Sequence, residues 1–353
     1  MGAPNLFLKN RAVFFQKNSK NVIFEVTSAQ LPVLNRIGLD DLFLTKGHIQ
    51  APHWHPNAAE LNYVAAGEAM ISVLDPLRHR LLSYHVKRGQ VVYIPINWWH
   101  WVSAISDKVH IVQTFSNADR QIIEGPDVLK KTPPEVFQLA YGVDAKAFAK
   151  LLAPITERVV IGPENPHLTE ELNMMGNIMP SSSPILFFDL RQNLSVRRDD
   201  SLLFKVTCRQ IPLMHDLSLG DLFLTKGHIR EPHWHPNADE FDYIISGQVT
   251  ISILNPFTLQ LISGNVQAGQ VVFIPKGWWH WIIPVTEKTH LLVFFNDGKI
   301  ESVEGSDVLR LTPPRVYEQA YGINAEKLDK ELTSIRKTLT IGPPSTTDEQ
   351  IWF

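Results

Sequence analysis

The chain repeats itself. Within its 353 residues the run Asp41–Ile49 (D-L-F-L-T-K-G-H-I) recurs letter for letter at Asp221–Ile229, and an offset of 180 residues holds from Phe24/Phe204 to Gly162/Gly342. A repeat of that length is a duplicated domain, not a solenoid unit of a few tens of residues, and each copy is large enough to bury its own core. The fold must therefore be one that a single copy can complete twice over. On this basis the chain divides into an N-terminal domain, residues 1–165, a linker, residues 166–184, and a C-terminal domain, residues 185–353. The linker is placed on a stretch rich in Pro, Ser, Asn and Met around Ser181-Ser182-Ser183, with a short helix expected at Leu168–Leu172.

Within each copy the local signals are those of β-structure. Val22–Thr27, Tyr63–Leu74 (broken at Gly67), Leu81–Val86, Gln90–Ile94, Trp98–Ala104 and His110–Phe115 are short β-rich runs bounded by turn residues. Many short strands at close spacing predict an all-β barrel or jelly roll. A helical stretch then follows each barrel. Thr132-Pro133-Pro134 suits a first helical turn, Gly142 a stop, and Asp144 a cap for Ala145–Leu152; Thr312-Pro313-Pro314, Gly322 and Asn324 repeat the pattern.

Composition narrows the partners. A hydrophobic fraction of 44% and a formal net charge of −3 give no reason to propose nucleic acid or an anionic membrane surface. No apolar run approaches the roughly 18 residues that span a bilayer, and the first residues lack the basic and apolar segments of a signal peptide. Cys208 is the single cysteine. It excludes an intrachain disulfide framework, suits a reducing, cytoplasmic setting, and reads as a packed residue on the strand Phe204–Cys208.

The chemistry lies in a repeated histidine pattern. His53-Trp54-His55 places two imidazoles on one side of a strand, because side chains alternate faces. Pro56-Asn57 supplies a turn, so Glu60 returns toward them, and His100 is the distant fourth ligand. The second copy offers His233, His235, Glu240 and His280. Three histidines and a carboxylate accept Mn²⁺, Fe²⁺, Ni²⁺ or Zn²⁺, and the carboxylate tilts the set toward the harder ions Mn²⁺ and Fe²⁺, one per domain. Four protein ligands on an octahedral ion leave two positions open, which points to catalysis rather than to a closed structural site.

These residues resemble the paired motif of the cupin superfamily. The first half reads Gly47, His53, His55, Glu60, Gly67 and the second Gly89, Pro95, His100; the later copy reads Gly227, His233, His235, Glu240, Gly247 and Gly269, Pro275, Gly277, His280. Asn97 stands where the motif usually has glycine. The duplication resembles the bicupins, which implies two tandem double-stranded β-helix barrels, each followed by a short helical segment. Among bicupins the likeness is to oxalate decarboxylases: an arginine three residues before H-W-H, here Arg230, and a T-P-x-x-V helix start. That resemblance implies a manganese enzyme acting on oxalate or a related small carboxylate, with dioxygen as helper, and a homo-oligomer clasped by the helices after each barrel. It assigns Arg230 to hold a substrate carboxylate. It also assigns a proton-carrying glutamate to the loop after the last strands, for which Glu301 is the candidate and Glu304 the alternative. The first copy has Gln50 at the Arg230 position, so the second domain is expected to be the better catalyst. Trp98 and Trp278 are candidate walls of the metal pocket. Two other functions fit a bicupin: a metal-dependent dioxygenase acting on an aromatic or enolic substrate, and a non-catalytic metal-bound binding or storage protein.

Overall fold

The computed structural model describes residues 5–155, 159–162 and 184–344. Residues 166–183 of the expected linker, with the helix expected at Leu168–Leu172, lie outside the described residues. The described residues form two compact units, one drawn from residues 11–189 with 210–214, the other from residues 1–10, 190–209 and 215–353.

Each unit is a pair of antiparallel sheets. In the first, a seven-stranded sheet runs Phe187–Asp189, Gln90–Ile94, Glu60–Ala66, Val109–Phe115, Gly38–Leu44, Asn21–Val26, Ala12–Asn18. Its other sheet runs Ile123–Glu124, Ile49–Trp54, His100–Ala104, Glu68–Asp75, Arg80–Lys87, with Ile161–Gly162 also pairing on Ile49–Trp54. The second unit repeats this order. One sheet is Phe7–Leu8, Val271–Ile274, Glu240–Ser246, Lys288–Phe295, Ser218–Thr225, Ser201–Val206, Leu194–Arg198. The other is Leu261–Gln267, Gln248–Leu254, His280–Pro284, Ile229–Trp234, Val303–Glu304, with Ile341–Gly342 on Ile229–Trp234. This is the expected all-β fold. The strand Phe7–Leu8 completes the second unit and Phe187–Asp189 the first. Such short edge strands carry no periodic signal, so chain order alone assigns neither to its sheet.

Burial of branched side chains holds each barrel together. Leu42, Leu61, Val64, Ile71, Val91 and Ile111 are fully enclosed in the first, as are Phe241, Ile244, Ile251, Val271 and Leu291 in the second. Each such side chain contributes about 1.5–3 kcal/mol relative to exposure. The hairpin turns are tight: a Cβ on Gly67, at φ +78°, would lie 2.0 Å from the Lys108 carbonyl oxygen. Asn97 adopts φ 68° where Gly277 has φ 81°, which explains why asparagine serves at that turn.

The helices follow the expected punctuation. Pro134–Tyr141 stops at Gly142 in the left-handed region, and the Asp144 side chain accepts from Ala147 N–H at 2.6 Å to cap Ala145–Leu152. A third helix, Gly125–Lys131, and its repeat, Gly305–Leu311, were not expected from the sequence. A Cβ on Gly305 would sit 2.6 Å from the Pro232 carbonyl, so the glycine lets this helix start against the metal-ligand strand. The strand expected at Trp98–Ala104 begins only at His100, because Trp98 N–H closes a turn onto the Pro95 carbonyl. Cys208 lies just beyond Ser201–Val206, half-buried.

Candidate metal centres

Strand register brings the predicted ligands together. His53 and His100 are paired directly across neighbouring strands, and His233 and His280 are paired in the same way. His55 follows the end of its strand, and Glu60 opens the next one, paired with Phe115 and Ile94. All eight side chains are buried. Within each set, His53/His55/Glu60/His100 and His233/His235/Glu240/His280, the ligating atoms lie within 4.8 Å of one another.

Hydrogen bonds fix which nitrogen of each imidazole faces inward. His53, His55 and His100 place Nδ1 at 2.6, 2.7 and 2.8 Å from the carbonyl oxygens of Ala51, Gln121 and Trp98. His233, His235 and His280 do the same with Glu231, Glu301 and Trp278, at 2.7, 2.7 and 2.8 Å. A carbonyl only accepts, so Nδ1 carries a proton and Nε2 is the nitrogen left to face a metal. Burial, with the neighbouring imidazoles, holds His53 well below the usual histidine range; burial and Arg230 do the same to His233, so both stay neutral. In the first set Glu60 Oε2 lies 3.0 Å from Nε2 of both His55 and His100. In the second, Glu240 Oε2 is 2.8 Å from His235, 3.2 Å from His280 and 3.9 Å from His233. An imidazole Nε2 this close to a carboxylate oxygen needs a proton or a metal cation between the two. Nε2 of His53, His55 and His235 is buried with no protein hydrogen-bond partner. This donor set, oriented by outer carbonyls, fits a divalent transition metal.

Around these matched clusters the two barrels differ. In the second, a cavity of about 50 Å³ opens beside the ligands and is lined by Lys205, Arg230, His233, His235, Glu240 and Ser302, with apolar side chains including Val293 and Ile300. In the first, the positions 180 earlier carry interlocked polar groups. Gln113, where the second copy has Val293, places Nε2 2.8 Å from Glu60 Oε1 and 3.0 Å from Gln50 Oε1. Arg120, where the second copy has Ile300, reaches Asp40 at 2.6 Å and Glu25 at 3.2 Å. Burial outweighs Arg120 and pushes Asp40 up to about 7. Asp242, two residues after Glu240, is fully enclosed, and burial with the neighbouring Glu240 carboxylate drives its carboxyl well above the usual range. Its counterpart is Asn62, the neutral isostere of a protonated aspartate.

Arg230 lines the second cavity, and its sequence neighbour Glu231 is not its ion-pair partner. Its Nη1 and Nη2 meet the two carboxylate oxygens of Glu304 at 2.5 and 2.8 Å, and Nη1 also donates to the Thr340 carbonyl at 3.0 Å. Glu231 instead accepts from Ser306 and Thr340. Arg230 draws Glu304 below the usual carboxylate range despite its burial. Glu301 has an exposed side chain on the loop between the cavity residues Ile300 and Ser302, while its carbonyl holds His235. Trp278 packs on Phe257, with ring centroids 6.2 Å apart, and is not among the cavity-lining residues; the wall expected from it follows from a strand that in fact starts two residues later. Lys205, Gln113 and Asp242 escaped sequence reading. Their signal was present: each is a place where the two copies exchange charge or polarity, as Glu25/Lys205, Gln113/Val293 and Asn62/Asp242.

Two jelly-roll barrels, each enclosing three histidines and a glutamate at the ends of facing strands, define a duplicated cupin. The chain belongs to the cupin family, whose sequence pattern matches residues 5–148 and again 195–329. It is similar to the oxalate decarboxylase OxdC of Bacillus subtilis, 23% identical over 301 residues that cover 84% of this chain and 76% of that protein. A probable oxalate decarboxylase of Arthroderma benhamiae is 25% identical over 315 residues, covering 87% and 76%. A solved structure of the Bacillus subtilis oxalate decarboxylase, described for its Mn(II) centres, superposes with a TM-score of 0.84 at 20% identity, covering 97% of this chain and 89% of that one.

Proposed function

We propose that this chain is a manganese-dependent bicupin enzyme that cleaves oxalate, or a related small carboxylate, to formate and carbon dioxide, with the second barrel as the working site. The carrying observation is the cavity lined together by Arg230, Lys205 and the ligand cluster His233, His235 and Glu240. The first cluster has the same ligands, but amides and an ion-paired network occupy the positions that border the second cavity. The Mn(II) centres of the Bacillus subtilis oxalate decarboxylase support the choice of metal, one ion per barrel held by His53, His55, Glu60 and His100 and by His233, His235, Glu240 and His280.

A metal held there would supply Lewis-acidic, redox-capable chemistry. The chain's own residues do the rest. Converting hydrogen oxalate to formate and carbon dioxide breaks the carbon–carbon bond and ends with a proton on the formate carbon, so one group must carry that proton. Glu304 is unsuited, because Arg230 holds both its oxygens and keeps it ionised. Glu301 is our proton carrier: its backbone is anchored through Asn237 and His235, and its free side chain stands between two cavity residues. Arg230, locked by Glu304, Thr340 and Ser302, forms a rigid cavity wall whose charge Glu304 matches. Apolar Leu203, Leu222, Ile282 and Phe295 limit water at the reacting group.

The helices Pro134–Tyr141 and Pro314–Tyr321 expose Val136, Leu139 and Tyr141, and Val316 and Tyr321. These apolar side chains support a homo-oligomer. A single unpaired Cys208 supports a cytoplasmic setting. Formate release from oxalate by the manganese-loaded protein tests the assignment. Turnover of an aromatic or enolic substrate with consumption of dioxygen, and none of oxalate, would replace it with the dioxygenase reading.

A further inference from the structure

The cavity beside the second cluster holds a cation with no ion pair or hydrogen bond among the described residues. Lys205 sits on the strand Ser201–Val206 and lines the cavity with Arg230, His233, His235 and Glu240. Its backbone is pinned by Asn193, whose Nδ2 donates to the Lys205 carbonyl at 2.7 Å. Its ammonium makes no ion pair or hydrogen bond with any described residue. Glu304 feels its charge but is already gripped on both oxygens by Arg230. Burial lowers the Lys205 pKa to about 8. A half-buried ammonium without a counter-charge destabilises the fold unless a ligand supplies one. The barrel does not need a cation there, because the first copy builds the same strand with Glu25 at this position, bound to Arg120.

We propose that Lys205 is a specificity-determining residue of the second-barrel site, receiving the second carboxylate of a short diacid whose other end faces the His–Glu cluster. This rests on reading that cluster as a metal centre acting on a small carboxylate. Arg230 is poorly placed for the task, since Nη1 and Nη2 are engaged with Glu304, Thr340 and Ser302. The cavity of about 50 Å³ has room for only a few water-sized groups, which favours a diacid of two or three carbons over an aromatic acid.

The test is calorimetric titration, with dioxygen excluded to prevent turnover, of the manganese-reconstituted full chain with oxalate and with oxamate, which keeps one carboxylate and replaces the other by a neutral amide. Metal content is measured on the same samples. The wild type should bind one oxalate per chain about 10- to 100-fold tighter than oxamate, the range expected of one charge-assisted contact. Lys205→Met should bring the two ligands to within about twofold at unchanged manganese content, and Lys205→Arg should restore the preference. A Lys205→Met protein that keeps the wild-type preference overturns the proposal and leaves the metal-centre reading standing. So does a wild type that holds manganese yet does not distinguish the two ligands. A wild type that takes up no manganese overturns both.

Discussion

Both carboxylate oxygens of Glu304 are held by the guanidinium of Arg230, at 2.5 and 2.8 Å, in the wall of the second-barrel cavity. The two charges are almost fully removed from water. Deleting one member of such a pair leaves the other charge buried and unmatched, at a cost of about 3–5 kcal/mol, whereas replacing both is far milder. Glu304→Gln is therefore expected to lower the urea midpoint strongly, and Arg230→Met with Glu304→Met to recover most of the loss. A double variant as unstable as the sum of the singles would show that the pair is not acting as a unit.

Glu301 separates from Glu304 by experiment. Its side chain is exposed and its structural contacts run through the backbone. Glu301→Gln should leave the melting temperature and the manganese content unchanged, within about 0.5 kcal/mol of stability. If Glu301 carries the proton, formate release falls by about 10²–10⁴. Steady-state assays on oxalate decide this, and unaltered turnover would remove Glu301 from the chemistry.

Asp242 buries a carboxyl beside Glu240 where the first barrel has Asn62. Asparagine preserves the shape and removes the buried acid. Asp242→Asn is expected to raise stability by about 1–3 kcal/mol with two manganese ions still bound per chain. Thermal unfolding and elemental analysis check it; a lost ion would mean that the second carboxylate belongs to the metal set.

His110 makes the first barrel acid-sensitive. It stacks on Phe43 with centroids 4.4 Å apart, touches Asp41, and is lowered from 6.5 to about 4 by burial and by Arg11. Between about pH 4 and 6.5 the unfolded chain takes up a proton that the folded chain refuses. Stability from this group is therefore full above 6.5 and lost as the pH falls through the window, by up to about 3 kcal/mol. Urea unfolding of the wild type and His110→Gln across that range should give a shallower pH dependence in the variant.

The duplication and the ligand chemistry were legible because both are short-range patterns. His53-Trp54-His55 sets two imidazoles on one side and the offset of 180 repeats the pair, whereas His100 reaches them only through strand pairing with His53. The helices capped by Asp144 and Asn324 were legible for the same reason. What stayed hidden depends on contacts between residues far apart in sequence. Nothing near Arg230 announces Glu304, 74 residues on, or Lys205 on another strand. Phe7–Leu8 gives no hint that it pairs with Val271–Ile274. Trp278 was misplaced because the turn set by Pro275 delays the strand by two residues, which takes its ring away from the cavity.

The central claim is that two clusters of inward-facing imidazole lone pairs and a carboxylate are manganese sites. Its most direct test is elemental analysis of the full chain purified without added metal and again after reconstitution, alongside His55→Ala and His235→Ala. The account predicts two manganese ions per chain, and one in each variant. Protein that holds no metal in either preparation, or variants that keep both ions, would contradict it.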